Sequence, residues 1–181
     1  MPVYIAMLRG INVGGHKKVL MADLRKSCEA LGFEQVQTYV QSGNVIFKAR
    51  GSADALSKKM EEMILEDFGF EVSVMSRSAA EMEKIRAANP FLKRAGADLT
   101  KLHVTFLSSA PPPGAVKKIE AFAAPPEEFQ CKEREIYLYL PNGFGRSKLA
   151  TAPFERLLGV RATARNWNTV TKLCEMSSAC S

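Results

Sequence analysis

A chain of 181 residues in which 46% of side chains are hydrophobic has enough apolar material for a real core, which argues against global disorder. The net charge is +6, from 14 basic and 12 acidic side chains in residues 1–100 and 11 and 7 in residues 101–181. That mild surplus lacks the dense cationic stripe of a protein that coats nucleic acid, and no apolar run is long enough to span a bilayer.

Val3 to Leu8 is a continuous apolar run stopped by Arg9 and Gly10, and it predicts a buried strand rather than a signal peptide. Met21, Leu24, Cys28 and Leu31 then recur at helical spacing, and Gly32 closes that helix. Val36, Thr38 and Val40 alternate with Gln37 and Tyr39 as in a half-exposed strand. Ser42-Gly43-Asn44 predicts a turn, with Val45 to Phe47 as the returning strand of a hairpin. Ser52 is placed to cap a helix whose apolar stripe is Leu56, Met60, Met63, Ile64 and Phe68, ended by Gly69. Val72 and Val74 open a fourth strand. The order βαββαβ is the ferredoxin-like signature, an antiparallel sheet with helices on one face.

Ser78 to Glu81 forms a capping box that opens a further helix, ended by Asn89-Pro90. Phe91 to Asp98 has no periodicity and predicts a linker. Leu102, Val104 and Phe106 alternate with His103 and Thr105, which predicts a strand with His103 as a surface or inter-helix side chain. A short helix bearing Val116, Ile119 and Phe122 follows the Pro111–Gly114 break. A hairpin follows, with Phe129 and Cys131 on one strand and Ile136, Leu138 and Leu140 on the other, across the turn Lys132 to Glu135. Thr151 or Ala152 caps a helix that carries Pro153 in its first turn, and Asn166 or Asn168 caps the last helix. The expected fold is therefore α+β, with a ferredoxin-like βαββαβ first part over residues 1–98. A related βαββα second part plus terminal helix occupies residues 99–181, packed with the first as one compact unit. A structural duplication is consistent with this order.

The stretches Met1–Ala22, Ile136–Phe154 and Arg156–Cys174 contain no acidic residue, and each holds a loop rich in Gly, Asn, Arg and Lys. Basic side chains and mobile amides without nearby carboxylates suit an anion. The four cysteines, Cys28, Cys131, Cys174 and Cys180, form no CxxC pair, and the two histidines, His16 and His103, have no ligand-like spacing to them. Buried free thiols in a reducing cytoplasm account for the cysteines, with no metal site or cofactor expected.

Five segments stand in a recognisable order: Arg9 to Gly15, Tyr39 to Phe47, Asn89-Pro90-Phe91, Gly145 to Leu149, and Ala164 to Val170. With them the chain resembles, over essentially its whole length, the family known as domain of unknown function 1697. That resemblance implies a soluble, mostly bacterial α+β protein with a ferredoxin-like first part, and no agreed activity, substrate or catalytic residue.

The chemistry must then come from the residues themselves. In Arg9 to Lys18, Gly10, Gly14 and Gly15 permit close backbone approach, Arg9 suits a bidentate anion and Lys17 or Lys18 adds a point charge, with Asn12 between them. The spacing matches neither a dinucleotide fingerprint nor a P-loop. His16 lies in this loop as the better of the two histidines for a general base. The hairpin residues Ser42 and Asn44 are within reach of a ligand at the sheet end, although a plain turn explains them more economically. Arg146, Ser147 and Lys148 supply a guanidinium, a hydroxyl and an ammonium within three positions. Adjacent Ser147 and Lys148 would point apart in extended chain, against Ser–Lys nucleophilic catalysis. Arg165, Asn166, Trp167 and Asn168 combine charge, amides and a stacking ring, or else pack and cap the last helix. The leading expectation is a small anionic ligand, a nucleotide or phosphorylated metabolite, in a basic Gly-rich cleft between the parts. Arg9, Arg146, Lys148 and Arg165 are its clamps and Trp167 its wall. The alternatives are a single-stranded nucleic-acid-binding module with Tyr39, Tyr137 and Tyr139 as a platform, and a protein-interaction or structural role without a pocket.

Overall fold

The computed structural model describes residues 1–181 apart from Ala95 and Ala97, so the linker read from Phe91 to Asp98 lies partly outside the described residues. By contact density the chain divides into two units, Met1–Lys84 with Lys172–Ser181, and Ile85–Thr171. No helix among the described residues is long and apolar enough to cross a membrane.

The first unit contains β1 (Val3–Leu8), α1 (Met21–Ala30), β2 (Glu34–Tyr39), β3 (Asn44–Lys48), α2 (Ala53–Phe68) and β4 (Val74–Ser78), followed by α3 (Ala79–Ala87). Its strands form one antiparallel sheet in the order β2-β3-β1-β4. Alternation sends Tyr4, Ala6, Leu8, Val45, Phe47 and Val74 to one face, where they pack with Leu24 and Cys28 of α1 and Leu56, Met60 and Ile64 of α2. Phe33 lies flat on Phe47, with ring centroids 4.3 Å apart. Each fully buried Leu, Ile, Met or Phe here contributes about 1.5–3 kcal/mol of transfer free energy. The caps read from sequence are present. The Ala55 amide donates to Ser52 Oγ at 3.2 Å, and Gly69 ends α2 in the left-handed region. The capping box is formed at both of its bonds, since Ser78 N donates to Glu81 Oε2 and Glu81 N to Ser78 Oγ.

The second unit contains β5 (Leu102–Leu107), α4 (Lys117–Glu120), β6 (Glu128–Lys132), β7 (Glu135–Tyr139), α5 (Phe154–Leu158) and β8 (Ala162–Asn166), with α6 (Trp167–Ala179) beginning in it. Its sheet is antiparallel in the order β6-β7-β5-β8. Leu107, Ile136, Leu138 and Leu140 meet Ile119 of α4, Leu149, and Phe154 and Leu158 of α5 on one face.

Strand β8 stands where the sequence reads as a loop. Its residues, Ala-Thr-Ala-Arg-Asn, hold no large apolar side chain, and pairing with β5 from His103↔Asn166 to Leu107↔Ala162 makes them a strand. The second part is thus a full βαββαβ followed by a helix, as the first is. Helix α5 begins at Phe154 with Pro153 at its N-cap and no side-chain cap, so neither Thr151 nor Ala152 serves there.

The two units share several hydrogen bonds at equivalent positions. Leu8 N donates to Gly43 O and Leu107 N to Arg134 O; Arg9 N to Ser73 O and Ser108 N to Arg161 O. A glutamate of the preceding helix accepts the first amide of the last strand in both, Val74 N to Glu61 and Ala162 N to Glu155. Arg77 and Arg165 occupy matching registers, opposite Ile5 and Val104, and each donates from Nη1 to the carbonyl of the residue before it. Hydrogen-bonding positions match where the side chains differ, because the backbone ladder does not depend on side-chain identity.

Candidate functional site

The loop from Arg9 to Lys18 is held in place by its own side chains. Gly10, Asn12, Gly14, Gly15 and Lys17 all have positive φ, and Val13 and His16 form an isolated bridge. The Asn12 side chain stitches the loop down. Its amide donates to Val19 O at 3.0 Å and Gln41 O at 2.8 Å, and its oxygen accepts from Val19 N at 2.8 Å. Lys17 Nζ donates to Glu71 O at 2.7 Å. Asn12 and Lys17 are therefore occupied in shaping the loop. Arg9, His16 and Lys18 are exposed on it, as are the backbones of Gly10, Gly14 and Gly15.

The neighbouring hairpin differs from the expectation at Asn44. This residue opens β3 rather than sitting in the turn, and it is fully buried. Its amide donates to Tyr39 O at 2.9 Å and Ser42 Oγ at 3.2 Å, which fixes the hairpin and leaves Asn44 out of reach of a ligand at the sheet end. Gly43 beside it is obligatory: a Cβ there would lie 2.6 Å from Ile11 Cδ1 and 3.0 Å from Leu8 Cβ, at φ +84°.

In the second unit two of the three acid-free segments meet. His103 is the centre. Phe144, in the 143–148 segment, packs on the His103 ring with centroids 4.8 Å apart. On the other side His103 is in register with Asn166 of β8. Of the two placements expected for His103, surface or inter-helix, the surface one does not hold; it is 9% exposed, and Nδ1 has no hydrogen-bond partner. Two residues on, on the same sheet face, the Thr105 hydroxyl is also buried and unpartnered. Burial pushes the His103 pKa down, because an imidazolium there would lose its hydration. The ring is neutral at physiological pH and presents one donor and one acceptor.

In the 143–148 segment Arg146 and Lys148 are exposed, and among the described residues neither makes an ion pair. Ser147 is buried. Its Oγ accepts from Ala150 N at 2.9 Å and its carbonyl from Thr151 Oγ1 at 3.0 Å, so it ties the loop rather than facing Lys148. Asn166 caps α6, accepting from Thr169 N at 2.8 Å, and Asn168 is exposed in the first turn. Trp167 is 3% exposed and its ring is part of the packing.

Arg165 lies on the opposite side of the sheet from Asn166, since successive strand residues alternate. Its guanidinium is buried, donates to Thr163 Oγ1 at 2.8 Å and to Ala164 O at 2.9 Å, and has its pKa pushed down to about 10 by desolvation. It stays charged at neutral pH. The structure thus brings Phe144 of the 143–148 segment and Asn166 of β8 to His103 and sets Arg165 on the other face of the sheet. The sequence offered little notice of His103 or Thr105, because alternation alone does not tell a covered sheet face from an open one.

Tyr137 and Tyr139 do not form an open platform. Tyr137 is buried and donates to Ile85 O at 2.7 Å, and Tyr139 stacks on Phe91 at 6.2 Å. Cys28, Cys174 and Cys180 are buried free thiols, whereas Cys131 is half-buried. Among the described residues no group of three or more His, Cys, Asp or Glu side chains is placed to hold a metal.

A paired βαββαβ α+β architecture with an internally stitched Gly-rich loop after its first strand defines the structural class. The chain belongs to the family described as protein of unknown function (DUF1697), whose model matches residues 1–137. It is similar to the conserved bacterial protein SP0830 from Streptococcus pneumoniae. The two are 26% identical, with a TM-score of 0.79 over 97% of this chain and 98% of that one. No curated protein matches the sequence.

Proposed function

We propose that this protein binds a small anionic ligand, a nucleotide or phosphorylated metabolite, in the second unit where the segments 143–148 and 163–168 meet. The observation that supports this is the pair of buried, unpartnered polar atoms, His103 Nδ1 and Thr105 Oγ1. A buried polar group without a partner costs about 1–3 kcal/mol, so native cores rarely keep one without a use. Two on one sheet face, in a unit whose 143–148 loop rests Phe144 on His103 and carries two exposed cations without ion pairs, fit a ligand that supplies the missing bonds.

In this reading Arg146 and Lys148 provide charge, His103 and Thr105 orient the ligand, and the first amides of α6, at Trp167 and Asn168, add the partial positive charge of a 13-residue helix. Phe144, exposed on its outer side, turns aside to admit it. In the first unit Arg9 and the amides of Gly10, Gly14 and Gly15 are exposed and also suit an anion. A single-stranded nucleic-acid role finds less support, because the tyrosines of the second unit that would stack bases are packed away.

The test is calorimetric titration with pyrophosphate, AMP and ATP, alongside thermal melts. A ligand present at 100 times its Kd raises stability by about 2.7 kcal/mol. Arg146→Gln with Lys148→Gln should weaken binding at least about tenfold, the effect of losing roughly 1.4 kcal/mol of charge-assisted contact. Oligonucleotides should bind no tighter than AMP and show no steep salt slope. Absence of heat and of thermal shift with all three probes refutes the reading.

A further inference from the structure

The first unit holds a cleft of about 330 Å³ that none of the acid-free loops lines. It lies where the end of α1, the chain leaving β3 and the first turns of α2 come together, and the residues that matter are Leu31, Phe33, Ala49, Arg50, Leu56 and Lys59. Its floor is apolar: Phe33, Ala49 and Leu56 are buried members of the first core. Its walls are fixed, since the Tyr4 hydroxyl donates to Gly51 O at 2.6 Å and Ala49 N to Pro2 O at 3.2 Å.

Two cations stand over that floor. Lys59 Nζ sits 5.7 Å from the Phe33 ring centroid and donates to Leu31 O at 3.0 Å, which leaves two of its three N–H groups for a ligand. Arg50 is exposed and, among the described residues, makes no ion pair or hydrogen bond. No carboxylate lines the cleft among the described residues. The volume matches the lower end of small-molecule sites, which are typically ~300–1,000 Å³ and combine an apolar wall with a few convergent polar groups.

We propose that this cleft binds a small amphipathic anion, with an aromatic or short aliphatic group on the Phe33–Leu56 floor and a carboxylate or phosphate held by Arg50 and Lys59. Arg50 suits the bidentate contact and Lys59 the point charge. The proposal is independent of the His103 reading, which concerns the other unit.

The experiment is a titration of ¹⁵N-labelled full chain with phenyl phosphate and, in a second arm, phenylacetate; the stronger arm decides between phosphate and carboxylate. Saturable shifts are expected at the Gly32, Gly51 and Ala55 amides. Inorganic phosphate and phenol, each carrying half of the recognition, should bind at least about tenfold more weakly than phenyl phosphate. Arg50→Gln and Lys59→Gln should each weaken binding about threefold or more, within the range for charge-assisted contacts at partly exposed sites. Shifts absent from those three amides in both arms, or affinities unchanged in the variants, overturn the proposal. Should Lys59→Gln disturb the fold through loss of its contact with Leu31, Arg50→Gln alone decides the matter. His103→Phe should leave these shifts intact.

Discussion

Replacing His103 with Phe tests whether an unpartnered atom in the second unit is retained at a cost to stability. The substitution removes Nδ1 and keeps a ring against Phe144, so the aromatic contact at 4.8 Å survives. Relief of an unsatisfied buried nitrogen contributes about 1–3 kcal/mol, and a slightly larger ring in a packed site offsets part of it. A net gain of about 1 kcal/mol follows, or roughly 2–4 °C in Tm for a chain of this size. The pH dependence gives a second readout. The pKa of His103 is lowered in the folded state, so the unfolded chain binds the proton more readily. Stability is therefore full above the unfolded value of about 6.5 and falls as pH drops from there toward the folded one. The variant lacks this component, so its advantage over the wild type should widen between pH 7 and pH 5. Urea unfolding followed through Trp167, the one tryptophan, reports on the unit that contains His103. A variant less stable than the wild type at pH 7, with no widening at pH 5, refutes the reasoning: the imidazole would then make a structural contact that Phe cannot.

Other outcomes follow from the same geometry. Gly43→Ala forces a Cβ to 2.6 Å from Ile11 at φ +84° and should cost about 2 kcal/mol or more in urea melts; a loss under ~0.5 kcal/mol would mean that the β2–β3 hairpin yields easily. Asn12→Ala removes three hydrogen bonds and should lower stability by about 1–3 kcal/mol while speeding proteolysis between Arg9 and Lys18; an unchanged cleavage rate would show that the loop is held by other contacts. The Cys28 thiol, its pKa pushed up to about 12 mainly by burial, should resist an aromatic disulfide reagent at pH 8 until the protein is unfolded. Labelling of Cys28 in a fast first phase would contradict its placement.

Much of the architecture was legible in the residues alone. Alternation marked β5 and β7, an unbroken apolar run marked β1, and helical spacing marked α1 and α2. Ser52, Gly69 and the Ser78–Glu81 box marked ends that the structure reproduces. These are local effects, fixed by side-chain periodicity and by which orphan amides a nearby oxygen can reach. Strand β8 was not legible, because Ala162 to Asn166 owe their conformation to the ladder offered by β5, a partner about sixty residues away in sequence.

The candidate site divides the same way. That cations, glycines and amides cluster in segments without carboxylates follows from residue order alone, since charge belongs to composition. Which of them can meet a ligand depended on the folded arrangement. Folding committed Asn12, Ser147 and Asn166 to holding backbone, sank Trp167 and Arg165, and sent Arg165 and Asn166 to opposite faces of one strand. It also left His103 and Thr105 buried, with Nδ1 and Oγ1 unpartnered. Burial and hydrogen-bond satisfaction depend on what packs above a sheet face, and strand alternation carries no information about that.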